Sequence, residues 1–307
     1  MLGPDRTVFD TEVDVKVLLS LLLLAALPAA DGGREEVVGE PTTHIVAAGE
    51  SLIEIALDQD VGFNEIAAAN PGLDPYIPPA GATVVLPKAW IVPRSAVPGT
   101  LVVNLSEMRL YLIPYAPGPP ISFPVGIATE ADATPLGTLR VVAKQVNPTW
   151  FPTPAIRRED PELPAKVPPG PENPLGTHAL RLSVPALLIH GTNKPYGVGR
   201  KVSHGCIRLY PDDIPRLYRL VDVGTKVIIV REPVKIGVRR SRVYVEVHVD
   251  EDYSIDLLAE AKRLLAHRHL LERVDAALLD EAVKQHSGLP VDVTSAAGPI
   301  AGAFTGQ

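Results

Sequence analysis

The sequence predicts a mainly β protein of short strands and many turns, and three features of its composition carry that reading. The 307 residues include 32 prolines and 24 glycines, residues that break long regular elements and punctuate turns. A hydrophobic fraction of 46% against 21% charged residues is enough to bury a core. The length suits about two domains of ~100 to 200 residues. A net charge of −7 provides no basic field, which argues against a nucleic-acid partner.

Residues 1–30 end in the apolar run "VKVLLSLLLLAALPAA", short for a membrane span of ~20 residues and closing on small residues, so they read as a secretory signal peptide. The acidic Asp5, Asp10, Glu12 and Asp14 stand where a signal has a positive start. Translation from Val13 or Val15 would leave Lys16 as that positive region, and the alternative is an uncleaved membrane anchor. Residues 31–41 read as a linker.

Residues 42–92 predict strand, helix, helix, strand. Ser51 and Glu54 form a capping box, the second helix stops at Asn70-Pro71-Gly72, and residues 83–86 are the closing strand. The proline-rich "PKAWIVPRSAVPGT" that follows reads as a short connector that fixes its two neighbours together. Residues 98–232 form the next domain. Within it, 147–174 is too long and proline-rich for a mere connection and predicts a lid or binding loop. Trp150 and Phe151 either line a groove there or pack the lid onto the sheet.

The stretch "IHGTNKPYGVGRKVSHGCIRL", residues 189–209, contains the only cysteine, Cys206. Most free cysteines are small buried hydrophobes, but His190, Lys201, His204 and Arg208 surround this one, and positive or imidazole neighbours favour the nucleophilic thiolate. "ALRLSVPALLIH" is apolar and β-rich, so His190 ends a strand and a turn-rich loop follows. Cys206 falls in the turn before a short helix with Asp212 or Asp213 as N-cap, Pro215 in its first turn and Gly224 as its stop. Gly205 allows successive N–H groups to point inward, as an oxyanion site requires. A zinc site of His190, His204 and Cys206 is the competing reading, with no Cys-x-x-Cys or His-Glu-x-x-His pattern to support it.

These residues resemble the signature of the L,D-transpeptidase (YkuD domain) family, in which a histidine precedes a Ser-His-Gly-Cys-x-Arg block, here His190 and Ser203-His204-Gly205-Cys206-Ile207-Arg208. "EMRLYLIP", "TPLGTLRV", "NPTWFPTPAIR", "VPPGPENPLGTHAL" and "VDVGTKV" extend the likeness to the ErfK/YbiS/YcfS/YnhG branch over residues 42–288. The resemblance implies a YkuD-type β-sandwich and a cofactor-free, metal-free cysteine transpeptidase. Cys206 would attack the third residue of a peptidoglycan stem and expel D-alanine, with His190 as base. The thioester would pass to an amine of another stem or of a Braun-type lipoprotein. Ser203, His204, Gly205, Gly191 and Arg208 would serve as oxyanion or loop support, with Trp150 and Phe151 on the lid. An L,D-carboxypeptidase, a hydrolase that detaches lipoprotein, and a non-catalytic wall-binding protein are the alternatives. The first module resembles LysM, a binder of N-acetylglucosamine-containing glycans, with Gly49, Glu50, Ser51, Leu52, Asn70, Pro71 and Gly72 as its groove. The alternative is a β/α packing domain without glycan affinity. A periplasmic location follows from the export signal.

Val243, Val245, Val247 and Val249 alternate with polar residues as a half-buried strand, and two helices follow. Ser254 caps the first and Gly288 closes the second. Together, 233–290 form an α/β subdomain. The tail, 291–307, reads as disordered.

Overall fold

The fold is described for residues 36–296 of a computed structural model; the expected leader and residues 297–307 of the expected tail lie outside them. Strand β1 (Val37–Gly39) opens the described chain. The first module then runs β2 (Thr42–Ile45), α1 (Leu52–Asp58), α2 (Phe63–Ala69) and β3 (Thr83–Leu86), with β2 and β3 antiparallel. Ser51 starts α1 through a reciprocal box: its Oγ accepts the Glu54 N–H and its own N–H donates to the Glu54 carboxylate. Leu52, Ile55, Ile66 and Val84 form the small core.

Two segments expected to be linkers are paired strands. β1 pairs with β4 (Ala89–Ile91), because Val37 and Ile91 are each only 1% exposed and gain more from burial than a free linker would. Residues 37–39 and 89–91 therefore fasten these two stretches to each other.

The central domain contains β5 (Thr100–Asn104), β6 (Arg109–Leu112), β7 (Ile121–Pro124), β8 (Ile127–Ala128), β9 (Gly137–Val146), α3 (Pro154–Glu159), β10 (His178–Leu182), β11 (Leu188–His190), β12 (Lys201–Ser203), β13 (Ile207–Arg208), α4 (Asp213–Leu220) and β14 (Lys226–Val230). One eight-stranded sheet runs β13-β11-β10-β9-β14-β5-β6-β7, and β8 pairs with β12 beside it. A Gly126–Arg208 bridge joins the chain after β7 to β13 at the opposite end, so the sheet folds back on itself. Leu101, Leu110, Phe123, Leu180, Ile189 and Ile207, all inaccessible to solvent, meet with α4 in one core. Each such side chain contributes about 1.5–3 kcal/mol.

The first module is bolted to this domain. Arg109 makes a two-pronged bond to Glu65 (2.8 and 2.7 Å) with both side chains buried, and lies 4.1 Å from the Trp90 ring. The Asn64 N–H donates to the Gly199 carbonyl, and the Tyr210 hydroxyl donates to the Val61 carbonyl. A side chain at Gly199 (φ +75°) would lie 2.2 Å from the Phe63 nitrogen, so this contact admits only glycine.

The C-terminal subdomain places α5 (Leu257–His267) and α6 (Ala276–Gln285) on a sheet of β15 (Val234–Arg239), β16 (Arg242–Val247) and β17 (Val291–Asp292). β17 corrects the expected disorder from residue 291. It pairs with β16, and Val293 behind it is fully buried, so the alternating "VDV" completes a sheet edge. Asp256, not Ser254, caps α5, and α6 ends at a left-handed His286. Between the domains, the Lys235 ammonium lies 2.6 Å from both Glu107 and Glu246, all three buried. Glu107, Glu246 and His248 are close enough to share a metal, and that ammonium fills the cation position. Among the described residues no helix is long and apolar enough to cross a membrane.

Candidate active site

Strand geometry brings the predicted residues together. β11 and β13 are adjacent and parallel, with Ile189 opposite Ile207 and His190 opposite Arg208. Both isoleucines enter the core. Side chains alternate along a strand, so Leu188 and His190, and likewise Cys206 and Arg208, face the other way. That face lines a cavity of about 990 Å³, whose walls include Trp150 and Phe151 of the lid. Cys206 sits between β12 and β13, one strand earlier than the turn before α4 in which it was expected.

His190 is buried at the end of β11, and its Nδ1 lies 2.6 Å from the Gly191 carbonyl. A carbonyl only accepts, so Nδ1 bears the proton and the Nε2 lone pair is left for chemistry. Burial, seconded by the Arg208 charge, pushes the imidazole down to about 4, against hydrogen bonds to the Gly191 and Leu175 carbonyls. The ring is neutral at pH 7.

Cys206 is half-buried, and its Sγ donates to the Ala186 carbonyl at 3.4 Å. Burial pushes the thiol above its ordinary value, outweighing a backbone hydrogen bond from Leu188 and the Arg208 charge. Burial thus outweighs the neighbours expected to raise the thiolate fraction, and a neutral thiol shares the cavity with a neutral imidazole. Lys201 gives no help, since its ammonium pairs with Asp252 at 2.9 Å.

The supporting residues divide. Ser203 is buried and its Oγ donates to the Cys206 carbonyl at 2.5 Å, which fixes the loop. Gly205 adopts φ +100°, and its carbonyl accepts the Thr134 hydroxyl. His204 turns outward to Glu159 at the end of α3, 2.8 Å away, tying the lid to the cysteine loop. Arg208 is half-buried in the cavity wall, and its Nε is a buried donor with no hydrogen-bond partner among the described residues.

In the LysM-like module, Gly49 and Glu50 line a separate concavity of about 450 Å³. Leu52 is fully buried and Asn70 is committed to Ile66 and Val85, so neither side chain can meet a glycan, a correction set by packing. Ser51 is spent on the helix cap, Pro71 lines a different cavity with Arg200 and His248, and Gly72 is exposed. His44 bonds Glu50 at 2.9 Å.

Sequence reasoning missed Asn173. Its amide donates to the Pro148 and Pro168 carbonyls at 2.8 and 3.1 Å and accepts the Leu175 N–H at 2.9 Å, pinning both ends of the lid. An asparagine in a proline-rich stretch, where backbone donors are scarce, is the signal that could have found it. Tyr196, in the turn Pro195–Gly197, was also missed although it lines the cavity.

Comparison with known proteins places these elements. Residues 98–229 match the L,D-transpeptidase catalytic domain and residues 44–87 the LysM domain. The chain is 40% identical to the probable L,D-transpeptidase YcfS of Escherichia coli K12 over 271 residues, covering 83% of this chain and 84% of that protein. It is 36% identical to the probable L,D-transpeptidase YbiS of the same strain, covering 85% and 89%, and 36% identical to the probable L,D-transpeptidase ErfK/SrfK of Salmonella typhimurium, covering 90% and 93%. With a cysteine and a neutral histidine on one face of two paired strands, and relatives matched along nearly their whole length, this chain belongs to the L,D-transpeptidase family.

Proposed function

We propose that the protein is an exported peptidoglycan L,D-transpeptidase acting in the periplasm. The observation that carries this is the shared face of β11 and β13, where His190 and Cys206 line one cavity. The Cys206 sulfur attacks the carbonyl of the third stem residue as His190 Nε2 takes the thiol proton. Because both groups start neutral, the proton moves as the S–C bond forms. Backbone N–H groups of Cys206 and Gly205 hold the oxyanion. The imidazolium returns its proton to the leaving D-alanine amine, and a thioester remains. An acceptor amine, from another stem or a lipoprotein lysine, then displaces the sulfur to form a new amide. Arg208, a half-buried cation with no carboxylate partner among the described residues, binds a carboxylate of the donor stem. The LysM module holds the glycan, with Gly49 and Glu50 in contact.

A carbapenem tests the assignment, because its strained amide sits where the stem carbonyl would. Intact-protein mass spectrometry should find one covalent adduct on the wild type and none on Cys206→Ala or Cys206→Ser. An equal mass gain on Cys206→Ala, or none on the wild type, refutes Cys206 as nucleophile.

A further inference from the structure

Tyr196 belongs to the catalytic domain, yet its side chain lines two concavities. One contains Gly49, Glu50 and Asp58 of the LysM module. The other contains Cys206, His190 and the lid. The residue is about half exposed, at 49%, and it is shared by the linings of both concavities. Its position is fixed from both sides. The turn closes through Gly197 N–H to the Lys194 carbonyl, Gly199 bonds Val125 of the catalytic domain, and Asn64 of α2 bonds Gly199.

The two concavities differ in chemistry. On the LysM side the rim carries carboxylates, Glu50, Glu54 and Asp58. Local hydrogen bonds hold Glu50 and Glu54 below the usual carboxylate range, in the ionised, acceptor form. Such a rim repels anions and accepts from hydroxyl and amide N–H groups of a neutral sugar. The cysteine side carries Arg181, Lys194, Arg200 and Arg208 against the lid carboxylates Glu159, Asp160 and Glu172, and Arg181 and Arg208 make no ion pair among the described residues. It suits an acidic peptide. A ligand that is a neutral, N-acetylated glycan at one end and an acidic peptide at the other matches both.

Resting on the transpeptidase reading above, we propose that Tyr196 is the common wall through which one glycopeptide occupies both concavities, its sugar stacked on the ring and its own stem peptide delivered to Cys206. The donor is then the stem attached to the sugar that the LysM module grips, not a stem from another strand. Sugars stack on aromatic faces through their apolar C–H surfaces, which demands the ring and not the hydroxyl.

The test compares kcat/KM for D-alanine release from a tetrapeptide carried on an N-acetylated tetrasaccharide with that from the same tetrapeptide free. In the wild type the ratio should favour the glycan-linked donor by about two- to tenfold, the order expected of one aromatic contact. Tyr196→Ala should bring the ratio close to one, and Tyr196→Phe should keep it. Asp58→Arg, on the exposed far wall of the sugar concavity, should lower it as well without touching the cysteine site. A wild-type ratio of one, or a ratio that survives both Tyr196→Ala and Asp58→Arg, overturns the shared-wall proposal while leaving the transpeptidase intact. Failure of D-alanine release from either donor, with no acylation of Cys206, instead refutes the transpeptidase reading and this inference with it.

Discussion

A histidine that charges only near pH 4 stays a base where an ordinary imidazole would be protonated. Burial sets this, since the ring is 4% exposed and faces Arg208. The acid limb of kcat/KM should therefore lie near pH 4 and not near the ordinary 6.5; a limb near 6.5 would place the base elsewhere. The same shift bears on folding. The folded value lies below the unfolded one, so the unfolded chain binds more protons between them. The stabilisation is complete above about 6.5 and is lost as pH falls toward 4. Replacing the base by His190→Ala should cut turnover by about 10²- to 10⁴-fold, and near-normal acylation in that variant would exclude it. The identity of Cys206 and His190 as candidates was legible because the chemistry clusters in one short stretch. Their charge states were not, because they depend on burial and on the strand register that sets Arg208 opposite His190.

Elements show where local signals suffice. The Ser51–Glu54 box is readable because donor and acceptor are three residues apart. β1, β4 and β17 are two or three residues long, and their partners lie far along the chain, so no periodicity announces them. Segment 147–174 stood out in the sequence as more than a connection, but its fastening did not, since the bonds of Asn173 converge only in the fold. Asn173→Ala leaves buried carbonyls without donors, at about 1–3 kcal/mol. Hydrogen exchange across 147–174 should quicken and kcat/KM should fall; unchanged exchange would show that the lid is held elsewhere. At the start of α4, burial and the neighbouring Asp60 push the Asp213 carboxyl up to about 8 against the pull of Arg216. A raised folded value means that stability falls as pH climbs from about 4 to about 8. Asp213→Asn should therefore stabilise the protein increasingly over that interval, raising Tm by at least about 2–4 °C at pH 8, with no gain below pH 4. A variant less stable at pH 8 would mean that the charged pair with Arg216 outweighs the burial.

At the scale of the whole molecule, buried charges join the modules. Arg109→Met strands Glu65 in an apolar joint and should cost about 3–5 kcal/mol in denaturant unfolding. The double replacement Arg109→Met with Glu65→Met should recover most of it, because no charge is then left alone; an equal loss in both would assign the effect to packing. A second joint lies at the start of the described chain. The Glu36 carboxylate accepts the Val238 N–H at 2.7 Å and bonds Arg268 at 2.8 Å, while Val37 packs against Gly237. The start of the described chain therefore cannot complete these contacts until residue 268 is in place. Until β15 arrives, Val37 and Ile91 of the β1–β4 ribbon lack the Gly237 backbone against which both pack. Closure of the β1–β4 joint is thus timed by the last third of the polypeptide, and a chain halted before β15 would leave this apolar ribbon half covered and open to aggregation.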